Sequence, residues 1–134
     1  DELEAQRLYR LAAEQGDAFA QCNLAAKYDH GRVVPRDFKE AVKWYRLAAE
    51  QGNSFAQEKL AWKYLLGEGV PQNDVLAYVW LNIAASDDSA LRRKAAIQQR
   101  IQQRDAIARG MTAGQVAKAR ELARNCSANN FRGC

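Results

Sequence analysis

The stretch Tyr9–Gly16 reads YRLAAEQG, and the same eight letters return at Tyr45–Gly52, 36 positions later. Around that anchor the register extends. Phe19-Ala20-Gln21 matches Phe55-Ala56-Gln57, Leu24-Ala25 matches Leu60-Ala61, and Lys27-Tyr28 matches Lys63-Tyr64. Gly31 falls on Gly67, and Val34-Pro35 on Val70-Pro71. A third copy opens in step, with Ala77, Trp80, Ala84 and Ala85 following Ala41, Trp44, Ala48 and Ala49 at the same interval. A period in the range of about 20 to 50 residues marks a repeat architecture, in which no unit can bury its apolar face alone. The chain accordingly divides into repeat 1 (1–36), repeat 2 (37–72), a divergent repeat 3 (73–109) and a C-terminal cap and tail (110–134).

Each repeat reads as two helices. Asp1, Asp37 and Asn73 stand where an N-cap is needed to accept from the free N–H groups of a first turn. Glu4 and Glu40 follow at capping-box spacing. Ala41, Trp44, Tyr45, Ala48 and Ala49 then recur at helical intervals. Gly16 and Gly52 supply a left-handed stop. Asp17 and Asn53 cap second helices whose inner faces carry Ala20, Leu24 and Tyr28, then Ala56, Leu60 and Tyr64. Paired alanines allow close helix approach, while Trp44, Trp80, Tyr28 and Tyr64 fill the gaps. In the third copy Ser86-Asp87-Asp88-Ser89 replaces the Gln-Gly step. A longer helix is predicted from Ala90 to Arg109, stopped by Gly110. Thr112 and Gln115 then open a last helix with Val116, Ala119, Leu122 and Ala123 inward. The fold class is all-α, an α-solenoid of about three helix-turn-helix repeats closed by a capping helix.

Hydrophobic residues make up 48% and charged residues 27%, enough apolar content for a core and too much for a disordered chain. No window approaches a membrane span. The DELEA start lacks the basic and apolar regions of a signal peptide, so none is expected within this chain.

The register A-x-x-W-Y-x-x-A-A-x-x-G, followed by A-x-x-x-L-x-x-x-Y-x-x-G-x-G-V-P, resembles the Sel-one-like repeat family, a relative of the tetratricopeptide repeat. The likeness covers about residues 1 to 86. The ending MTAGQVAKARELARNC, with a second cysteine after it, is similar to a tail found on bacterial members. Two departures stand out: Val33 replaces the second glycine of the turn kept as Gly67-Glu68-Gly69, and Ala25 and Ala61 occupy a usual glycine position. The resemblance implies a right-handed solenoid and an adaptor that binds other proteins, with no catalysis and no cofactor.

The polar residues agree with a non-enzyme. His30 is the sole histidine, in a turn, with neither a second histidine nor a Cys-x-x-Cys to build a metal site. Cys22 aligns with Glu58 and is expected to be partly exposed, with no base close in sequence to activate it. Cys126 and Cys134 either staple the tail to the last helix or stand as free thiols on a frayed end. The family tail carries the same pair, which favours the disulfide and, with it, a periplasmic or secreted location. A cytoplasmic location is the alternative.

Charge divides the chain. Residues 1–88 hold 10 basic and 14 acidic side chains, whereas residues 89–134 hold 10 and 2. Arg93, Arg100 and Arg104 on the long helix, with Arg120 and Arg124 on the last, form a possible basic surface. Interleaved aromatics are missing from it, which argues against nucleic acid. The stronger candidate lies on the first helices. Arg7, Arg10 and Glu14 align with Lys43, Arg46 and Glu50, and Val79 and Asn82 continue the rows. Stacked repeats bring such rows together on a concave face suited to an extended peptide or a partner helix. The bland alternative is a set of solvated i,i+4 Arg–Glu pairs. Three further readings are weighed: an envelope protein holding a glycan or peptidoglycan fragment, a weak amide hydrolase that lacks an activated nucleophile, and a nucleic-acid binder using the arginine-rich cap.

Overall fold

The structure is a computed structural model, and it describes residues 2–86, 94–132 and 134. Among these residues there are seven helices and no strands: α1 (Glu2–Glu14), α2 (Ala18–His30), α3 (Phe38–Glu50), α4 (Ser54–Leu66), α5 (Asp74–Ala85), α6 (Lys94–Ala108) and α7 (Ala113–Ala128). Asp1, Asp87, Asp88, Ser89 and Arg93, and the start predicted for the long helix at Ala90, lie outside the described residues.

Local chemistry accounts for the helix ends. The Asp17 carboxylate accepts from the Phe19 and Ala20 N–H groups at 2.9 and 3.2 Å. Asp37, Asn53 and Asn73 each accept from the N–H three residues on, at 3.1, 2.9 and 3.1 Å. Each such cap satisfies an otherwise orphaned donor and contributes about 1 kcal/mol. The capping box closes reciprocally at Thr112 and Gln115. At Asp37 the expected return bond is replaced, because the Glu40 carboxylate accepts from Trp44 Nε1 at 3.2 Å. Gly31 and Gly67 end α2 and α4 in left-handed geometry and return their N–H groups to Lys27 and Lys63.

Packing is built from neighbours in sequence. α2 lies on α3, α4 on α5, α5 on α6, and α7 returns onto α5. Leu24, Ala41, Tyr45, Ala48, Ala49, Leu60, Ala77 and Trp80 are fully buried. Two polar side chains are buried with them at the repeat interval. Gln21 and Gln57 donate from their amides to the Ala13 and Ala49 carbonyls, both at 3.1 Å. They add a side-chain donor to carbonyls at the ends of α1 and α3 that also accept from the Gly16 and Gly52 N–H groups, both at 3.0 Å.

The turns differ where the repeats differ. A Cβ at Gly69 would lie 2.4 Å from the Phe38 carbonyl oxygen, so only glycine lets this turn rest on the start of α3. Val33, its counterpart in repeat 1, holds a φ of 73°. A β-branched residue in that region is strained by about 1–2 kcal/mol.

Candidate functional site

The first-helix rows begin in register and then diverge. On α1, Arg7 is exposed and paired with Glu4 at 3.3 Å. Arg10 is half-buried, donates to the Tyr28 hydroxyl, lies 6.0 Å over that ring, and stands 3.7 Å from Glu14. On α3, Lys43 is exposed, 3.5 Å from Glu40 and 4.9 Å over the Trp44 ring. Arg46 is half-buried, donates to the Tyr64 hydroxyl and lies 5.7 Å over its ring. The Arg–Tyr contact is thus a device of the repeat itself, joining the first helix to the second across 18 positions. Glu50 is half-buried. Leu11 and Leu47, also in register, are 49% and 40% exposed, so the face is not purely charged. Gln6 stands one turn before Arg10 and is buried, and neither of its amide atoms has a partner among the described residues.

Repeat 3 does not continue these rows. Val79 is fully buried, in place of the exposed position expected for it. α7 and the tail cover it, leaving a hollow of about 300 Å³ between Leu76, Val79, Leu122, Cys126, Asn129 and Cys134. Leu122 stays 38% exposed at the rim of this hollow, whereas Ala119 and Ala123 turn fully inward. Asn82 takes the place of the arginine and accepts from Arg104 at 2.8 Å, across 22 positions rather than 18. Arg104 stands ten positions after the first residue of α6, as Tyr28 and Tyr64 do in α2 and α4, so it takes the site a tyrosine fills in the earlier repeats.

The tail closes over the same side. Cys126 and Cys134 are joined, their Cα atoms 5.8 Å apart. The Phe131 ring comes within 3.5 Å of where a Gly52 Cβ would stand. The Cys134 carbonyl accepts from Arg46 Nη1 at 3.5 Å. The cap therefore reaches past repeat 3 to the middle of repeat 2.

The predicted basic surface is interrupted by burial of Arg100. Arg93 lies outside the described residues. Arg100 is 2% exposed, donates to Glu58 at 2.9 Å and to the Ala84 carbonyl at 3.2 Å, and is a core strut. It does for the end of α5 what Gln21 and Gln57 do earlier, and its cation suits the negative end of that helix. Arg104 is half-buried over the Tyr78 ring at 5.9 Å. Arg120 is exposed and donates to the Tyr78 hydroxyl at 3.2 Å. Arg124 is exposed.

Cys22 is another correction. It is buried, and burial pushes its thiol up to about 11 against a weaker opposing pull from Lys59. A thiol so held is a poor nucleophile at neutral pH. His30 is exposed at the end of α2. No cluster of His, Cys, Asp and Glu fit for a metal gathers among the described residues, and none of their helices is long and apolar enough to cross a membrane.

Sequence reasoning missed a buried ionic group between repeats 1 and 2. Lys63 Nζ lies 2.5 Å from Asp29 and 2.7 Å from Glu68, and the Tyr45 hydroxyl donates to Asp29 at 3.1 Å. Burial, and then the Asp29 carboxylate, raise the Tyr45 hydroxyl well above its ordinary range. Asp29 and Lys63 break the apolar pattern of their helices, but nothing in sequence spacing pairs residues 34 apart.

The Sel1 repeat model matches residues 1–17, 18–53 and 54–89. Its units begin at the second helix of the pair, half a repeat away from the division made on sequence, with the same period. The chain is similar to c5321, a protective antigen of uropathogenic Escherichia coli strains displaying an SLR fold, with 30% identity and a TM-score of 0.82 over 95% of this chain. It spans only 27% of the length of that protein. It is also similar to a Sel1 repeat protein from Oxalobacter formigenes, with 38% identity and a TM-score of 0.62, covering 69% of this chain and 71% of the other. No curated protein matches this chain.

Proposed function

The chain belongs to the Sel1 repeat family, whose members generally act as protein-interaction scaffolds, and from that premise we propose that it binds an extended peptide or a helix of a partner protein along a concave face formed by α1 and α3. One observation carries the reading. Arg7, Arg10 and Glu14 repeat as Lys43, Arg46 and Glu50, with exposed Leu11 and Leu47 between them. Paired apolar and charged groups at a fixed spacing suit a linear partner. α5 contributes little, because α7 covers Val79 and Arg104 engages Asn82. The chain acts without catalysis or cofactor, and the joined cysteines support a periplasmic or secreted location.

Site-specific photocross-linking tests this. A photoreactive residue at Arg7 or Lys43 should capture the partner, and one at Lys118 should not. Capture concentrated at Lys118 or Arg124 would move the surface to the cap.

The glycan reading has its own support. Phe19 and Phe55, 36 apart, are 69% and 45% exposed and flank a hollow of about 340 Å³ lined also by Asn23, Asn53 and Ser54. Aromatic faces beside amides are fit to hold a sugar ring. Titration with a soluble peptidoglycan fragment, lost on Phe55→Ala, would favour this face over α1 and α3.

A further inference from the structure

The junction of repeats 1 and 2 shows how this fold holds an ammonium group. Lys63 Nζ lies 4.6 Å over the Phe38 ring, 2.5 Å from Asp29 and 2.7 Å from Glu68. An aromatic ring at the start of α3 and a carboxylate near the end of α2 thus converge on one cation from α4.

The junction of repeats 2 and 3 has the ring and the carboxylate and lacks the cation. Asp74, at the start of α5, stands 36 positions after Phe38. Trp62 and Leu65, on α4, stand 36 positions after Ala26 and Asp29. The acid has therefore moved to the first helix and the ring to the second. Lys63 is nine positions after the first residue of α4, and nine positions after the first residue of α6 stands Gln103, which is neutral. Trp62, Leu65, Asp74, Gln103 and Ile107 line a hollow of about 410 Å³, and none of its lining residues is basic.

Asp74 is half-buried at this hollow. Its Oδ1 accepts from the neutral Gln72 amide at 2.5 Å, and no cationic side chain lies within ion-pair distance of it among the described residues. The first turn of α5 favours an acid but supplies no cation. That helix end does not account for a tryptophan ring and an apolar floor beside the same carboxylate.

We propose that this hollow is a binding site for a small organic cation, a primary ammonium carried on an apolar body. The ammonium takes the part that Lys63 plays one junction earlier, bonded to Asp74 and facing the Trp62 ring. The apolar body covers Leu65 and Ile107. The volume falls within the usual span of small-molecule sites, about 300–1,000 Å³, and exceeds what one lysine stem from a partner protein fills. The site stands on α4, α5 and α6 and does not depend on the reading of α1 and α3.

The test is an NMR titration of the full chain with phenethylammonium chloride, with 2-phenylethanol as the neutral twin. Trp44 and Trp80 are 5% and 0% exposed, whereas Trp62 is half-buried at the hollow, so the three indole N–H signals report separately. The Trp62 signal should move saturably with the ammonium probe while the other two stay. Asp74→Asn should weaken binding about tenfold, the loss of one charge-assisted bond. Gln103→Lys should abolish it, because the chain then supplies its own ammonium as Lys63 does. Melting temperatures show that both variants fold, and either one alone suffices to test the site. A stationary Trp62 signal, equal affinity for 2-phenylethanol, or undiminished binding by Gln103→Lys would each overturn the proposal. Saturation by a capped lysine peptide where phenethylammonium has no effect would also overturn it, and would assign the hollow to a partner's side chain.

Discussion

The ammonium group of Lys63 lies 2.5 Å from Oδ1 of Asp29, and this pair, with side chains 7% and 9% exposed, ties repeat 2 to repeat 1. Glu68 and the Tyr45 hydroxyl complete the group. Both charges have given up water, so the cost of breaking the pair exceeds its net value. Asp29→Ala leaves a buried ammonium short of a partner and should lower unfolding free energy by about 3–5 kcal/mol. The double change Asp29→Leu/Lys63→Met should lose much less. Urea denaturation of the single and double variants measures both, and a double variant as weak as the single would contradict this account.

Val33 and Gly69 occupy the same turn position, but only the glycine suits its backbone. Val33→Gly should stabilise the chain by about 1 kcal/mol, the release of left-handed strain outweighing the added freedom of the unfolded chain. Gly69→Ala should do the reverse and by more, because its Cβ would meet the Phe38 carbonyl oxygen at 2.4 Å. Thermal melts of the two variants should shift in opposite directions.

Arg100 and Arg124 are both arginines of the basic end, yet one is 2% exposed and the other stands in solvent. Arg100→Ala strands the Glu58 carboxylate and the Ala84 carbonyl and should cost about 3–5 kcal/mol. Arg124→Ala should fall within about 0.5 kcal/mol of the parent. Similar losses from the two would restore the idea of a continuous basic surface.

The thiol of Cys22 should be silent in the folded chain. Without reductant, iodoacetamide at pH 8 should label no cysteine until denaturant is added, and then one. With its thiol raised to about 11 by burial, the folded state holds this proton more tightly than the unfolded state does. Stability from this group is therefore whole below the ordinary thiol range and is lost as pH rises toward 11. Melting temperatures of parent and Cys22→Ala should diverge only on the alkaline side. Rapid labelling of the native chain at pH 8 would show the thiol to be exposed.

Period, caps and stops were legible in the letters because each is a local matter. Asp17, Asp37, Asn53, Asn73 and Thr112 cap the turns immediately after them, and Gly31 and Gly67 end helices through their own φ. The inward stripe of Ala41, Trp44, Tyr45, Ala48 and Ala49 follows from helical geometry alone. The Arg10 and Arg46 rows were likewise readable as rows. Their continuation to Val79 was not, because it holds only if nothing else lies on α5. The position of α7 depends on where a helix that starts 28 positions after the end of α5 finds apolar surface, and repetition carries no information about an element that does not repeat. Arg100 looked like solvent charge for the same reason, since its partner Glu58 lies 42 residues away. Short-range hydrogen bonding and a 36-residue pattern decide the helices, their order and the stacking of the first two repeats, so these could be read from the letters. Which repeated positions stay open had to be seen in the folded chain, because burial depends on elements distant along it, and here the cap and its tail fold back as far as Arg46.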